Sequence, residues 1–344
     1  MYRRILLYLP CCIGDVVLAT ATLAALRRAY PDAHIAWAVG SWSHAVLTDH
    51  PLLNEIIDAG PAALPFKTIN GFIETVRLLR AGNYDLLVSL VRSPLMSMAA
   101  LASGISTRAG LDSGGRGFGY SLRATIDPQI PRLEAEIYLD VARVLGINTS
   151  GCYAHVPVPA APQILAARYG IVSPYIIINP AGGMNPGMSM TSKRYPPAQL
   201  AALAERIAVQ LKAQIVVLAG PSDAALVEEL RSHLHAPAVE LVGVLSFKEI
   251  AMLAVAAKCY IGNDTGVTHL AAAAGALTFM IFGPSDPRRY APYTLNSHAL
   301  WKPTALPAGG VAAGAPRLFD WARDGISVDE AEAFIMRIIH PPVP

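Results

Sequence analysis

Hydrophobic runs alternate with segments of helical spacing through the first half of the chain. The runs are almost uninterrupted, which is typical of parallel strands covered on both faces. They lie at residues 4–9, 34–39, 55–59 and 85–90. The helical segments lie at residues 16–30, 41–49, 69–81 and 94–103. This alternation predicts an α/β domain with a doubly wound parallel sheet.

The same alternation returns after residues 155–163, where three prolines in nine residues exclude a regular helix and indicate a linker. Strand candidates follow at residues 175–180, 214–220, 238–243, 258–263 and 277–283. Helix candidates lie at residues 197–212, 223–234, 247–257 and 267–275. A last helix follows a capping box formed by Ser327 and Glu330. Residues 301–325 fit neither pattern, and we assign them to a loop.

The chain therefore divides into two Rossmann-like domains and a C-terminal segment. The predicted boundaries are residues 1–160, 161–325 and 326–344, and the last segment is a helix and tail that can pack back on the first domain. Ligands of doubly wound sheets bind beyond the carboxyl ends of the strands. Two such domains facing each other would place their ligands in one interdomain cleft.

Composition narrows the range of partners. The net charge is +2 and no stretch is rich in Lys and Arg, so a nucleic-acid partner is not indicated. The mean hydropathy of +0.40 raises the question of a membrane span. The most apolar candidate, residues 86–106, contains Arg92 and Pro94. We interpret it as a buried strand followed by a helix.

The four cysteines show no spacing typical of a metal site. They are Cys11, Cys12, Cys152 and Cys259, and no pair has CxxC spacing. Because adjacent cysteines rarely bridge, we expect free thiols, a reducing compartment and no zinc site.

Several motifs of nucleotide and hydrolase chemistry are missing from the sequence. It has no GxGxxG after the first strand, no GxxxxGK[ST] and no GxSxG, which argues against classical dinucleotide binding, a P-loop NTPase and an α/β-hydrolase. It also has no Asp-x-Asp pair to hold a metal–diphosphate complex. Any bound diphosphate must be neutralised by cations, hydroxyls and backbone N–H groups.

Residues 262–287 are the densest candidate for such a site. Asp264, Thr265 and Gly266 connect a predicted strand to a helix of small residues. The free N–H groups and the dipole of a helix N-terminus favour an anion. His269 lies one turn inside that helix. The alternative is that Asp264 or Thr265 only caps the helix and that His269 is a satisfied polar residue.

A second candidate anion site follows the first strand of the second half. The loop at residues 179–196 combines glycines with Ser189, Thr191, Ser192 and Lys193. Hydroxyls, an ammonium group and flexible backbone at a strand end suit a phosphate. The alternative is an ordinary solvated loop.

Acids follow two other predicted strands. Asp223 can accept hydrogen bonds from ribose hydroxyls, or it can cap the next helix. Near the start, Gly14 lets the backbone turn and Asp15 lies at the beginning of the first helix. Asp15 is therefore either a reactive acid or a helix cap.

Arginines concentrate between residues 86 and 132. Residues 108–123, which include Arg108 and Arg116, are rich in glycine, and we interpret them as a mobile basic loop. Such a loop can receive an anionic acceptor, or it can be an ordinary solvated loop.

Three stretches resemble glycosyltransferase family 9, the heptosyltransferases of lipopolysaccharide core assembly. They are IGDVVLATATLAALRRAYPDAHI near the start, NPAGG…SKRYP in mid-chain, and NDTGVTHLAAAAGALTFMIFGPSDP. The last resembles the family signature D-T-G-x-x-H-L-A-A-A-x-G followed by F-G-P-[ST]-D-P. The resemblance implies a GT-B fold with an N-terminal acceptor domain and a C-terminal nucleotide-sugar domain. It implies inverting, metal-independent transfer without a cofactor, typically of heptose from ADP-L-glycero-β-D-manno-heptose to a lipopolysaccharide inner core.

The resemblance also assigns roles to residues. It implies that Asp15 is the general base and that Lys193 contacts the diphosphate. It places Asp264 at the donor sugar, Thr265 and Gly266 at the diphosphate, and Asp223 at the ribose. With a lipid-linked acceptor, the protein would be a cytoplasmic monomer with at most peripheral membrane association.

The proposed base meets a physical objection. A helix N-terminus stabilises the charged carboxylate of Asp15, which lowers its pKa and weakens it as a base. Burial beside the apolar Cys11, Cys12 and Ile13 would have the opposite effect. The sequence leaves open which effect prevails.

The chain also departs from the family pattern. Many members have serine before the Gly-Asp pair, where this chain has Cys11 and Cys12. Many also have a cysteine-containing segment late in the C-terminal domain, whereas this chain has no cysteine between residues 285 and 344. In the mid-chain loop, Met188 stands at a position where the family has a hydroxyl-bearing residue. Three alternatives therefore stay open: another nucleotide sugar with a different glycan or small-molecule acceptor, a non-catalytic nucleotide-binding protein, and a sugar-nucleotide epimerase.

Overall fold

The computed structural model describes residues 2–60, 68–185, 188–303 and 319–341. It forms two compact units, Met1–Pro157 and Val158–Pro344. The division falls inside the proline-rich segment 155–163 that was interpreted as a linker.

The first unit contains a six-stranded parallel sheet with covering helices. Its strands are β1 (Arg4–Tyr8), β2 (His34–Val39), β3 (Glu55–Asp58), β4 (Leu86–Ser89), β5 (Thr107–Ser113) and β6 (Leu122–Ile126). Its helices are α1 (Ile13–Ala29), α2 (Ile69–Ala81), α3 (Pro94–Ser103) and α4 (Glu134–Arg143). The strand order is β3-β2-β1-β4-β5-β6, and all neighbours are parallel.

Helices cover both faces of this sheet, as its uninterrupted apolar runs predict. Leu6 and Tyr8 of β1 lie in a core cluster with Leu79 of α2 and Met96 of α3. Successive side chains of a strand point to opposite faces, and α1 pairs with α4 as a second helical pair. The predicted doubly wound α/β fold is confirmed for this unit.

Two expectations for the first unit are wrong. The helix predicted at residues 41–49 is only a 3-10 turn at His44–Val46. The basic segment at residues 108–123 is not one mobile loop, because β5 and the beginning of β6 occupy much of it. A Cβ at Gly110 would lie 2.5 Å from the ring of Tyr120, so the glycine that obscured the strand pattern is required by packing.

The second unit repeats the architecture. Its strands are β7 (Tyr175–Asn179), β8 (Met184–Asn185), β9 (Met188–Ser189), β10 (Gln214–Ala219), β11 (Ala238–Val242), β12 (Tyr260–Asn263), β13 (Thr278–Ile281) and β14 (Ser297–Leu300). Its helices are α5 (Pro162–Arg168), α6 (Pro197–Leu211), α7 (Ala224–His233), α8 (Phe247–Ala256), α9 (Gly266–Ala273), α10 (Pro287–Tyr290), α11 (Trp321–Asp324) and α12 (Val328–Ile339). The parallel sheet has the order β11-β10-β7-β12-β13-β14, and β8 and β9 form a separate antiparallel pair.

The C-terminal helix α12 lies in the second unit, on α6. Arg206 of α6 contacts Asp329 at 2.5 Å and Glu332 at 3.1 Å. The sequence analysis predicted this helix as part of a separate segment, residues 326–344, that can pack on the first domain. The segment assigned to a loop, residues 301–325, contains the short helix α11, and its residues 304–318 lie outside the described part.

The apolar stretch at residues 86–106 divides into β4 and α3, as the sequence predicts. Within the described residues, no helix is long and apolar enough to cross a membrane.

Candidate functional site

The first candidate site lies where β1 gives way to α1. Cys12 is the N-cap of α1 and Asp15 is its third helical residue. The backbone N–H of Cys12 donates to Asp15 Oδ2 at 3.5 Å, so Asp15 does act on the helix end. The hydroxyl of Tyr138, on α4, donates to the other carboxylate oxygen at 2.8 Å. One carboxylate oxygen therefore accepts from the backbone of its own helix end, and the other accepts from a residue far away in the sequence.

Two further charges complete what we call the Asp15 cluster, namely Asp15, Tyr138, Glu134 and Arg92. Glu134 lies one turn before Tyr138 on α4, is buried, and is paired with Arg92. The negative charge of Glu134 acts on Asp15 from the same side as Tyr138 and opposes its ionisation, whereas Arg92 favours it.

Burial affects the pKa of Asp15 more strongly than the helix end does. Loss of hydration, followed by repulsion from Glu134, raises the pKa of Asp15 to about 6, although Tyr138, the Cys12 N–H and Arg92 act in the opposite direction. The pKa of Tyr138 is raised well above its usual value by burial, so its phenol remains a hydrogen-bond donor. A partly exposed carboxylate with a pKa close to neutral is suited to general-base chemistry.

The two cysteines beside this carboxylate correct an expectation. Cys11 and Cys12 form a disulfide, whereas Cys152 and Cys259 are buried free thiols. The expectation that all four are free is wrong, because the loop after β1 brings the two sulfur atoms together. A bridge between adjacent residues closes almost no loop, so it restricts the unfolded chain very little.

The second candidate site lies in the second unit, at the ends of β7 and β12. Lys193 belongs to a 3-10 turn at Thr191–Lys193, and its ammonium lies 2.6 Å from Oδ2 of Asp264, just after β12. Burial alone would raise the pKa of Asp264, but the charge of Lys193 holds it below its usual value. The two residues thus form a buried ion pair at the carboxyl edge of the sheet.

His269 lies beside this ion pair and has an unsatisfied nitrogen. It is 5% exposed, and its Nδ1 has no hydrogen-bond partner in the described part of the chain. Burial lowers its pKa to about 4, with Lys193 acting in the same direction and Asp264 against it. The alternative of a satisfied core histidine does not fit, because a buried unpaired nitrogen is the exception in folded proteins. His269 is neutral at pH 7, and its Nδ1 can form a hydrogen bond with a ligand.

The beginning of α9 offers backbone donors next to these residues. Thr265 is the N-cap, yet its side chain makes no capping hydrogen bond, and Gly266 is the first helical residue. The first N–H groups of a helix have no partner within the helix. They are available to an anion, as the sequence predicts from the Asp-Thr-Gly segment.

The mid-chain turn is held in place by a residue that the sequence reasoning missed. The indole N–H of Trp321 donates to the carbonyl oxygen of Ser192 at 3.1 Å, and its ring meets Tyr195 edge-on at 5.2 Å. Gly283 makes room for that ring, since a Cβ there would lie 2.4 Å from it. Trp321 therefore braces the turn that carries Lys193.

The hydroxyl-bearing residues of this loop remain accessible. Ser189, Thr191 and Ser192 are all exposed, and no contact places them at a ligand. Their predicted role in phosphate binding stays a prediction.

Asp223 lies in a 3-10 turn after β10. It is the N-cap of α7 but makes no side-chain capping bond, so the capping alternative is not supported. Its Oδ1 lies 3.6 Å from a guanidinium nitrogen of Arg194. The pairing leaves oxygen atoms that can accept from a hydroxyl, and the ribose role stays a prediction.

The residues predicted on the acceptor side have different local roles. Arg108 donates to the backbone carbonyls of Gly119 and Ser106, so its guanidinium is partly used within the fold. Arg116 is exposed in the turn between β5 and β6, and Gly14 is the second residue of α1.

The described residues contain no group of three or more His, Cys, Asp or Glu side chains that could hold a metal ion. The structure thus brings together Lys193, Asp264 and His269 in one unit, and Asp15 with its cluster in the other. The predicted cleft that would combine them stays a prediction.

The raised pKa of Asp15 predicts a stability change. A carboxyl whose pKa rises on folding from 3.8 to about 6 stabilises the fold fully below pH 3.8, and this contribution is lost as pH rises through 6. Asp15→Asn does not titrate. Its unfolding free energy relative to wild type should therefore increase by up to about 3 kcal/mol between pH 4 and pH 7.

Urea unfolding at several pH values measures this difference. Asp127→Asn, which removes an exposed carboxylate, is the matched control and should show no such trend. A stability difference between Asp15→Asn and wild type that is independent of pH would contradict the raised pKa.

Comparison with known proteins assigns the chain to a family. The model of glycosyltransferase family 9 (heptosyltransferase) matches residues 73–308. The chain is 25% identical over 299 residues to lipopolysaccharide heptosyltransferase 3 of Escherichia coli (strain K12), covering 84% of this chain and 85% of that protein.

Solved structures share the fold. A family 9 glycosyl transferase from Veillonella parvula superposes with a TM-score of 0.78 at 20% identity, covering 98% of this chain and 97% of that one. The ADP-heptose lipopolysaccharide heptosyltransferase II of E. coli gives a TM-score of 0.74 at 19% identity, covering 98% of both chains. The predicted α/β fold class, with the paired parallel sheets of GT-B-like heptosyltransferases, is confirmed.

The family match extends over more than half of the chain and includes both the turn of Lys193 and the Asp264–His269 segment. The chain belongs to glycosyltransferase family 9, the heptosyltransferase family, and is a glycosyltransferase.

Proposed function

We propose that this protein transfers heptose from ADP-L-glycero-β-D-manno-heptose to a saccharide acceptor during assembly of the lipopolysaccharide inner core. Its similarity to lipopolysaccharide heptosyltransferases supports this substrate class. The observation that carries the mechanism is the Asp15 carboxylate, which is partly exposed, held by Tyr138, and raised in pKa to about 6.

The proposed reaction is an inverting displacement that needs no metal. An acceptor hydroxyl attacks the anomeric carbon of the donor from the face opposite the nucleotide. As the new C–O bond forms, the bond between the anomeric carbon and the diphosphate oxygen breaks, and ADP leaves. The hydroxyl proton passes to Asp15, whose raised pKa makes it a stronger base than an ordinary aspartate.

The second unit supplies groups that neutralise the diphosphate. Lys193 has three N–H donors, so its contact with Asp264 leaves donors for phosphate oxygens. The N-terminus of α9 adds backbone N–H groups at Thr265 and Gly266. The unpaired Nδ1 of His269 adds a neutral polar contact. Asp223, paired with Arg194, is proposed to accept from the ribose hydroxyls.

The acceptor side is proposed to contain Gly14 and the exposed cation Arg116, with Arg108 holding the turn between β5 and β6. A phosphorylated, lipid-linked saccharide matches such a cation. A lipid-linked acceptor would place the enzyme at the cytoplasmic face of the inner membrane, and we propose that it works there as a monomer.

The base assignment predicts a kinetic loss. Asp15→Asn should lower kcat by about 10²–10⁴-fold, as for loss of a general base. ADP affinity should persist, because Asp15 lies in the first unit and the proposed diphosphate groups lie in the second. Turnover with an ADP-heptose donor and calorimetry with ADP measure the two quantities. The matched control is Asp32→Asn, an exposed acid beyond α1, and near-normal turnover of Asp15→Asn would exclude it as the base.

The same base predicts a pH profile. Because the carboxylate must be ionised, kcat should fall as pH decreases through about 6. Tyr138→Phe removes a hydrogen bond to the charged form and should move this limb to higher pH, whereas Glu134→Gln should move it lower. If the limb stays in place in both variants, another group controls it.

The diphosphate site predicts a binding defect. Lys193→Ala should weaken ADP binding by about 1.5–3 kcal/mol, as for a lost charged hydrogen bond. Lys212→Ala, an exposed lysine after α6, is the control. Calorimetry with ADP, GDP and UDP measures affinity and base preference together. Equal ADP affinity in wild type and Lys193→Ala would remove Lys193 from the site, and preference for another base would overturn the ADP-heptose donor.

The other functions differ in their products. Nucleotide release that requires the acceptor identifies a transferase. Release without an acceptor, with an isomerised sugar, identifies an epimerase, and binding without turnover identifies a nucleotide-binding protein.

A further inference from the structure

Helix α3 presents an apolar stripe to the solvent. Leu95, Met98 and Leu101 are 45%, 40% and 53% exposed, and their spacing of three residues places them on one side of the helix. Phe118, in the turn between β5 and β6, is 48% exposed. We call these four side chains the α3 face.

The turn that carries Phe118 is attached to α3. The backbone N–H of Gly119 donates to Ser97 Oγ at 2.6 Å. A Cβ at Gly119 would lie 2.0 Å from the carbonyl oxygen of Ser97, so glycine is needed for this close approach. Phe118 is therefore held next to the helix, and the apolar stripe extends onto the turn.

Four arginines border the α3 face, and backbone carbonyls hold three of them in position. Arg80 donates to Ala102, at the end of α3. Arg123 donates to the carbonyl of Phe118 itself. Arg108 donates to Gly119, one residue further along the same turn, while Arg116 is exposed two residues before Phe118.

Within the described part of the chain, these arginines have no carboxylate partner. Among the residues that the structure describes, Arg80, Arg108, Arg116 and Arg123 form no ion pair with Asp or Glu. The nearby acid, Asp112, is buried and accepts from the N–H of Gly117. The border of the α3 face therefore carries unbalanced positive charge.

Single exposed apolar side chains are normal on a protein surface, but a cluster of them with a cationic border is not. The combination matches a lipid–water interface, where apolar side chains enter the acyl boundary and cations meet anionic headgroups. An acidic protein would match the charge alone, and a second copy of this chain would bring the same positive charges together. We propose that the α3 face docks this protein on the surface of an anionic lipid bilayer.

The proposal rests on the proposed function in one respect, since a lipid-linked acceptor lies in such a bilayer. Docking would bring the first unit, with Asp15, to the surface that contains the acceptor.

Vesicle flotation tests the proposal with the full-length protein. Vesicles of phosphatidylcholine are compared with vesicles in which about a third of the lipid is phosphatidylglycerol. The wild type should float only with the anionic vesicles, and less at high salt because screening weakens the attraction. Equal binding to both vesicles, or none to either, would overturn the proposal.

Variants assign the binding to the α3 face. Leu95→Ser with Leu101→Ser should lower affinity for anionic vesicles by roughly tenfold or more, because two inserted apolar side chains are lost. Ile164→Ser with Val209→Ser removes two apolar side chains that are even more exposed, on α5 and α6; it is the matched control and should bind like wild type. Unchanged binding of the α3 double variant would overturn the assignment. A wild-type dimer that the α3 variant loses, measured by light scattering, would identify a second copy as the occupant instead.

Turnover with a water-soluble saccharide acceptor separates this proposal from the proposed function. The α3 double variant should retain that turnover, which also shows that it is folded. Vesicle binding by a wild type without heptosyl transfer would contradict the proposed function alone. Transfer to the soluble acceptor without vesicle binding would contradict docking alone.

Discussion

The central strands of both sheets are buried on both faces, and this burial determines where the polar chemistry can lie. A strand such as β1 or β7 has to be apolar along nearly its whole length, because helices cover it above and below. The charged side chains of the two candidate sites accordingly lie beyond the strand ends. Asp15 lies in the first turn of α1, beyond β1, and Asp264 lies just after β12, one in each unit.

In the first unit, two opposing effects act on one carboxylate. The beginning of α1 favours the charged form of Asp15, while its packing against α4 removes water and adds the negative charge of Glu134. The second set prevails, and the pKa rises. Tyr138 limits the rise and holds one oxygen, so the same helix α4 both raises the pKa of the carboxylate and orients it.

In the second unit, one buried polar side chain is paired and a neighbouring one is not. Lys193 satisfies Asp264 through a short contact, yet His269 beside them keeps an unpaired buried nitrogen. A buried polar group without a partner lowers the stability of the fold. Such groups are common at binding sites, where a ligand supplies the missing hydrogen bond. Trp321 adds order by bracing the turn of Lys193 from the C-terminal segment.

Periodicity and motifs determined much of this protein without its structure. Uninterrupted apolar runs identified most strands of both sheets, because strand burial is a local property of the chain. Local motifs at strand and helix ends singled out Asp15, Lys193, Asp264 and His269 as candidates. Where glycine and charge break a strand, as at Gly110 in β5, the pattern failed, since that glycine serves packing against Tyr120.

Only the tertiary structure decided the contacts between distant parts of the chain. Tyr138 lies 123 residues from Asp15, and Trp321 lies 129 residues from Ser192, so no local pattern could connect them. The direction of the pKa shift at Asp15 also could not be predicted from a local pattern, because desolvation depends on which atoms the fold packs around the carboxylate. The sequence determined which ionisable side chains lie at the strand ends, and the packing of α4 decided the pKa of Asp15.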